Sequence, residues 1–166
     1  MTNTLIQLRP GTRTIDPARS TIEFTATHVF GLKPVHGTMA IRSGTVTVAA
    51  EPRRSSVSAE VDAASWATDD AKRDRDVRGR RFLDVERYPA IAFRSTAVVQ
   101  DAAGWQVIGE LSVRGGSTEM PLTLTEIGPD RFTATGRVDR VAAGVGGGRA
   151  IVGRYVEVTL TVALCD

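Results

Sequence analysis

The chain contains few of the residues from which disulfides, metal sites and many catalytic centres are built. Its 166 residues include one cysteine, Cys165, and two histidines, His28 and His36. A single cysteine excludes an intramolecular disulfide framework and any cysteine-built metal site. A zinc site needs three or four placed ligands, and the sequence has neither a His/Cys cluster nor an H-E-x-x-H helix. The sequence therefore predicts no metal site.

Long apolar runs and a large excess of one charge are also missing. No stretch approaches the roughly 20 apolar residues of a membrane helix, and polar residues interrupt the region where a secretory signal would lie. We therefore expect a cytoplasmic protein without stable membrane insertion. The 21 basic and 19 acidic residues leave a net charge of +2. This charge is too small to indicate a polyanionic partner by itself.

Alternation of apolar and polar residues with a period of two dominates the chain, and this pattern indicates half-buried β-strands. In the clearest run, residues 21–29, four side chains share the apolar face: Ile22, Phe24, Ala26 and His28. Similar runs continue to residues 156–164 and are separated by glycine-containing pairs. These pairs are Ser43-Gly44, Ala103-Gly104, Gly115-Gly116 and Gly128-Pro129. Strands with one solvent-exposed face favour antiparallel pairing.

One segment, residues 68–79, breaks the alternation and predicts a short helix. Thr68 suits the N-cap, acidic residues follow it, and Gly79 suits the C-terminal end. Asp74 and Arg78 are four residues apart and could pair on the helix surface. About eight or nine short strands without a linker or repeat predict a single domain over residues 1–166, either a closed barrel or a sandwich.

Signatures of catalysis are absent from the sequence. There is no G-x-S-x-G, and residues 144–148 precede an arginine where a dinucleotide fingerprint has its third glycine. We interpret His36, beside Gly37, as a turn residue and His28 as a core or pocket-lining imidazole. A histidine-dependent hydrolase or isomerase stays as an alternative, and it would need a perturbed His28 in a cleft.

Six cations lie close together in the predicted helix and just after it: Lys72, Arg73, Arg75, Arg78, Arg80 and Arg81. Such a run could follow a phosphate backbone. Five aspartates lie among these cations or beside them: Asp69, Asp70, Asp74, Asp76 and Asp84. Interleaved charges on a short helix usually form a solvated face. We therefore expect no nucleic-acid partner, although a nucleic-acid-binding or interaction module with a filled core stays as an alternative.

Four blocks of sequence, in order, resemble the bacterial YceI-like family. Residues 16–28 are similar to the motif D-P-x-H-S-x-I-x-F-x-x-x-H, and residues 73–93 contain R-D, then F-L-D and Y-P-A-I-A-F. Residues 109–115 read G-E-L-S-V-R-G, and residues 138–145 contain V-D-R and then G-V. Each block alone is a weak signal, whereas four in order are fairly specific. The resemblance covers about residues 13–166.

The resemblance implies an all-β fold with one short helix, a lipocalin-like eight-stranded antiparallel barrel. It further implies a non-catalytic protein that holds a small apolar ligand in the lumen and can form a homodimer. The expected ligand is a polyisoprenoid, an isoprenoid quinone or a fatty-acyl chain, with no other cofactor. We expect the ligand-binding residues to face the lumen: Ile22, Phe24, Ala26, His28, Ile91, Phe93, Leu111 and Phe132. The alternative is that the same residues fill a dry core.

Two further expectations concern family motif positions. Leu83 and Ala143 stand where the family has aromatic rings, which predicts a roomier or altered lumen. Arg73, Asp74 and Arg140 match charged motif positions. We expect these residues to form a charge pair that ties the helix segment to the barrel wall, and contact with a ligand head group stays as the alternative.

Overall fold

Nine strands, one α-helix and two short 3-10 helices make up the regular structure of the computed structural model, which describes residues 8–28, 33–146 and 152–165. The 3-10 helices span Pro17–Arg19 and Pro52–Arg54. The strands before the helix are β1 (Gly11–Thr14), β2 (Thr21–His28), β3 (Lys33–Val48) and β4 (Ser56–Ala67). The helix α1 spans Ala71–Arg78. The strands after it are β5 (Ala90–Asp101), β6 (Gly104–Val113), β7 (Gly116–Ile127), β8 (Arg131–Asp139) and β9 (Val152–Ala163).

Eight of these strands close into an antiparallel barrel. The strand order is β3-β2-β9-β8-β7-β6-β5-β4, and the pairing of β4 with β3 closes the ring. The short β1 pairs with the second half of β3, whereas β2 pairs with the first half. The two strands therefore lie end to end along the same side of β3. The predicted fold class is therefore confirmed: an all-β, eight-stranded antiparallel barrel with one short helix.

Three of the four predicted breaks lie at strand ends, and the fourth is wrong. Arg114 and Gly115 have positive φ angles of 49° and 75° and form a tight hairpin turn between β6 and β7. Gly44, in contrast, lies inside β3. A Cβ on Gly44 would stand 2.5 Å from Cδ1 of Ile15 and 2.8 Å from the carbonyl oxygen of Ser58. Gly44 is therefore required by close packing, and β3 continues through it for 16 residues in total.

His36 is also in β3 rather than in a turn, which corrects the interpretation of this residue. It faces Thr25 of β2 across the strand pair. The ring nitrogen Nδ1 lies 3.0 Å from the Thr25 hydroxyl oxygen. This exposed contact belongs to the outer surface of the barrel.

The helix begins later than predicted, because Asp70 and not Thr68 is its N-cap. The Asp70 carboxylate accepts hydrogen bonds from the backbone N–H groups of Lys72 and Arg73 at 3.0 and 3.1 Å. These bonds lower the pKa of Asp70, and the bond from Arg73 has the larger effect. The helix ends at Gly79, whose backbone is extended. Within the described residues, no helix is both long enough and apolar enough to cross a membrane.

The barrel end opposite α1 is filled with side chains. They are Leu8, Val46, Val48, Val98, Trp105, Phe132, Val162 and Leu164, all buried in one cluster. Asp130 lies at the surface of this end, where it accepts hydrogen bonds from Arg9 and Arg13. These contacts lower the pKa of Asp130, and the hydrogen bond from Arg9 has the larger effect. The N-terminal segment is thereby tied to the β7–β8 connection.

We expect the melting temperature to decrease as the pH falls below about 4, the ordinary range for aspartate. The folded-state pKa of Asp130 is depressed, so its stabilisation is complete above the unfolded pKa and is lost as the pH falls through the folded pKa. Asp16 and Asp139, whose pKa values are lowered by Arg19 and Arg154, act in the same direction. Melting curves of the wild type and of Asp130→Asn measure this effect. The variant should have a shallower pH dependence, and an equal slope in both proteins would contradict the assignment.

Candidate functional site

A cavity of about 520 Å³ lies inside the barrel, between the filled end and α1. Its wall consists mainly of inward-facing apolar side chains from β2 to β9. A volume in this range is typical of small-molecule sites. The lumen was expected to be either a ligand pocket or a dry core. The barrel contains both, because one end is a packed core and the remainder is hollow.

The cavity is lined by seven of the eight side chains that were expected to face the lumen: Ile22, Phe24, Ala26, Ile91, Phe93, Leu111 and Phe132. The eighth, His28, has its backbone at the end of β2, and its side chain lies outside the described residues. Leu83 and Ala143 also border the cavity. The positions with smaller side chains than the family pattern therefore face the hollow part of the barrel.

Two glycines allow the large rings of the lumen to lie flat against the wall. Phe24 is the cross-strand partner of Gly37, and a Cβ on Gly37 would stand 2.2 Å from Cζ of Phe24. A Cβ on Gly109 would likewise stand 2.3 Å from Cζ of Phe93. Because each ring occupies the place of a missing side chain, neither fills the centre of the barrel. This arrangement is one physical reason why the lumen is hollow.

Trp66 is a lumen residue that the sequence pattern does not reveal. Alternation along β4 places Val57, Ala59 and Val61 inside and would place Trp66 outside. The β3–β4 register, however, shifts between the pairs Thr38↔Ala67 and Ala40↔Asp62. This bulge reverses the alternation, as extra residues in a strand do. Trp66 therefore borders the cavity, where its ring stacks on Phe24 with 3.9 Å between the ring centroids.

Ser65 stabilises the bulge with its hydroxyl group. The hydroxyl donates to the carbonyl oxygen of Asp62 at 2.5 Å and accepts the backbone N–H of Ala40 at 2.8 Å. The Asp62 carboxylate also accepts the N–H of Ala64 at 3.1 Å. These bonds replace ladder bonds that the bulge removes.

We expect Ser65→Ala to lower the free energy of unfolding by about 0.5–1.5 kcal/mol, because it removes the hydroxyl that accepts the N–H of Ala40 and donates to the carbonyl oxygen of Asp62. Urea denaturation measures the change. Ser58→Ala is a matched control, since Ser58 is an exposed serine of the same strand. Equal stability of the Ser65 and Ser58 variants would contradict the role assigned to Ser65.

Charged side chains border the cavity at the α1 end: Asp70, Lys72, Arg73, Asp76, Arg81 and Arg140. Arg140 is 7% exposed. Its Nε donates to the carbonyl oxygen of Gly153 at 2.8 Å, and its Nη1 donates to that of Val145 at 2.7 Å. Arg140 thus binds the backbone of Val145, which follows β8, and of Gly153, which lies in β9. The lumen is consequently apolar along its length and charged at one end.

The helix is held to the end of β4 by two side chains that were expected to pair with each other. Asp74 is 6% exposed and accepts hydrogen bonds from the backbone N–H and the hydroxyl of Thr68, at 3.0 and 2.7 Å. Arg78 donates to the backbone carbonyl of Trp66. The predicted surface pair of Asp74 with Arg78 is therefore wrong.

The expected charge pair among Arg73, Asp74 and Arg140 is also not what the structure contains. Arg73 pairs with Asp69 at 2.8 Å, while Asp74 accepts its bonds from Thr68. The tie between the helix and the barrel wall exists, but hydrogen bonds to neutral groups provide it. In the part of the chain that the structure describes, no group of three or more His, Cys, Asp or Glu residues is placed to hold a metal ion.

Comparison with known sequences finds a matching family model and similar curated relatives. A family model described as "YceI-like domain" matches residues 14–164. The UPF0312 protein of Pseudomonas savastanoi pv. phaseolicola is 35% identical over 96 residues, which are 57% of this chain and 50% of the relative. The UPF0312 protein of Yersinia pestis is 36% identical over 73 residues, which are 44% of this chain and 37% of the relative. The chain thus spans half or less of the length of these curated relatives.

Comparison with solved structures gives the same architecture. BcnA of Burkholderia cenocepacia superposes with a TM-score of 0.75 and 24% identity, over 92% of this chain and 99% of BcnA. A polyisoprenoid binding domain from Saccharophagus degradans superposes with a TM-score of 0.64 and 12% identity, over 94% and 98% of the two chains. At these identities the likeness establishes the shared fold.

Proposed function

The chain belongs to the YceI-like domain family, and from this membership and its hollow lumen we propose that it binds an isoprenoid or another long apolar lipid chain inside the barrel. The single observation that carries the proposal is the cavity of about 520 Å³ with its apolar wall. The Saccharophagus degradans neighbour, described as a polyisoprenoid binding domain, supports the ligand class.

The apolar wall provides enough free energy for this function. Burial of a CH₂ group contributes about 0.8 kcal/mol, so each five-carbon isoprene unit contributes roughly 4 kcal/mol before any cost is subtracted. Eight units would exceed the practical limit of about 20 kcal/mol, so the ordering of ligand and protein must offset much of the gain. Burial alone therefore suffices to hold a water-insoluble chain.

The proposed role is that of a carrier that releases its ligand unchanged. Apolar side chains border most of the cavity, whereas the charged ones belong to α1, its flanking segments and Arg140. A lipid chain in the lumen would therefore contact mainly hydrocarbon. Carriage requires only that the ligand be enclosed and later released.

Native mass spectrometry of the protein purified from its own host tests the proposal. We expect a co-purifying prenyl or acyl chain, and the lipid-stripped protein should bind added geranylgeraniol. Protein that is consistently empty and binds no added lipid would overturn the proposal.

A salt titration separates lipid binding from binding of a nucleic acid. Burial of an apolar chain depends little on salt, whereas contacts with a phosphate backbone weaken steeply as the salt concentration rises. Binding of geranylgeraniol should therefore be retained at high salt. Binding of an oligonucleotide that is lost at high salt, without any binding of lipid, would favour the nucleic-acid alternative.

A further inference from the structure

The indole nitrogen of Trp66 is a buried hydrogen-bond donor without a partner, and it belongs to a side chain that borders the cavity. Among the described residues, two buried side-chain nitrogen or oxygen atoms lack a hydrogen-bond partner, Nε1 of Trp66 and Nε of Arg13. Trp66 lines the cavity, whereas Arg13 belongs to the filled end. Buried polar groups are nearly always hydrogen-bonded, so each exception needs a physical explanation.

Other buried or half-buried donors around this cavity already have acceptors in the protein. Arg140 donates to the carbonyl oxygens of Gly153 and Val145. Arg73 donates to the Thr68 hydroxyl and to the Asp69 carboxylate. An indole N–H is a donor only and cannot be satisfied by another donor. The partner that Trp66 lacks must therefore be an acceptor.

The surroundings of Trp66 suggest where this acceptor comes from. The bulge held by Ser65 turns the indole inward, and the ring stacks on Phe24, which lies against Gly37. A strand that followed the simple alternation would place the indole in solvent, where water would satisfy its N–H. The bulge thus places a side chain with an unpartnered donor beside a cavity in which a bound molecule that carries an oxygen atom can supply the missing acceptor.

We propose that Trp66 is a specificity-determining residue of the lumen, which donates its indole N–H to an oxygen atom of the bound lipid. This inference rests on the proposed lipid-binding function. The nitrogen is covered in the present conformation, so the proposed hydrogen bond requires the indole to turn toward the lumen. The site then selects lipids with a carbonyl oxygen over hydrocarbons of the same shape, and the oxygen-bearing end of the ligand lies near Phe24.

A pair of isosteric ligands tests the proposal. One is a long-chain methyl ketone, and the other is the alkene in which a CH₂ group replaces the carbonyl oxygen. Displacement of a fluorescent fatty acid measures the affinity of both ligands for the wild type and for Trp66→Phe. Trp66→Phe keeps an aromatic ring against Phe24 and removes the donor together with part of the indole, so the ratio of the two affinities, rather than either affinity alone, reports the donor. We expect the preference for the ketone over the alkene to be about three- to tenfold smaller in the variant than in the wild type, as for one neutral hydrogen bond.

A second measurement does not depend on the stability of Trp66→Phe. In Trp105→Phe, Trp66 is the remaining tryptophan, and Trp105 lies in the filled end, away from the cavity wall. The ketone should shift the emission maximum of Trp66 to longer wavelength relative to the alkene, because its N–H gains an acceptor.

The outcomes separate the two proposals. If the wild type binds both ligands equally, or if Trp66→Phe weakens both by the same factor, Trp66 acts by packing and the inference is overturned while lipid binding stands. Identical emission spectra with the two bound ligands overturn it as well. If the wild type binds neither ligand, the proposed function itself fails, and the inference fails with it.

Discussion

Leu111→Asp is expected to weaken lipid binding at least about 100-fold while the barrel still folds. Leu111 lies on β6 opposite Phe93, and its side chain is only partly buried because it borders the cavity. A carboxylate there remains hydrated while water can enter the lumen. An apolar chain has to remove that water, and the desolvation of an unpaired charge costs several kcal/mol. A cost of about 2.7 kcal/mol already corresponds to the stated factor.

Ser112→Asp is the matched control, since Ser112 is the next residue of β6 and faces outward. It introduces the same charge on the same strand, and it should leave lipid binding unchanged. A fluorescent fatty acid measures binding, and circular dichroism verifies that both variants are folded. Equal affinities of Leu111→Asp and Ser112→Asp for the fatty acid would show that the lumen is not the binding site.

Phe24 and Phe93 are less suitable positions for this experiment. Both rings cover a glycine that has no side chain of its own, and both are almost fully buried. Aspartate at either position would remove this cover and create a defect in the wall. A loss of binding there would combine unfolding with the effect on the site, whereas Leu111 separates the two.

Much of the lumen could be predicted from the sequence, because inward-facing residues of a strand recur with a period of two. Ile22, Phe24 and Ala26 line the cavity for this reason, as do Phe93 and Leu111 on neighbouring strands. The prediction that the strands close into a barrel depended on the family resemblance, since alternation alone is equally compatible with a sandwich. Periodicity therefore specifies which face is buried, but not what that face encloses.

Trp66 and the hollow centre could not be predicted, for two different reasons. The bulge after Asp62 reverses the alternation, and a one-residue change of phase moves each later side chain to the other face. The hollow depends on how Phe24 and Phe93 lie over glycines of neighbouring strands. Such cross-strand contacts join residues that are distant in sequence, so they have no local pattern.

The start of α1 shows a third reason why a feature could not be predicted from the sequence. Thr68 and Asp70 are both good N-cap residues, and either could begin the helix. The structure uses Asp70 as the cap, while Thr68 becomes the donor to Asp74. The two roles are compatible, because with Asp70 as the cap the Asp74 carboxylate accepts both the N–H and the hydroxyl of Thr68.

Asp74→Ala is therefore expected to lower the free energy of unfolding by about 3 kcal/mol, because Thr68 loses the acceptor for both its N–H and its hydroxyl. The variant also removes an acidic residue from the first turn of α1, where the helix dipole favours a negative charge. The melting temperature should fall by roughly 6–12 °C for a chain of this size. Thermal denaturation measures the change. Asp76→Ala, an exposed position on the same helix, is the matched control and should change stability by less than about 0.5 kcal/mol.

Hydrogen exchange distinguishes local from global consequences of Asp74→Ala. Because Asp74 and Arg78 hold α1 to the end of β4, we expect the amides of residues 71–78 to lose protection before those of β6 and β7. Since α1 and its flanking segments supply most of the charged end of the cavity, the release of α1 should also speed the dissociation of a bound fatty acid. Equal loss of protection in helix and strands, with an unchanged dissociation rate, would show that Asp74 stabilises the barrel as a whole and that α1 does not control access to the lumen.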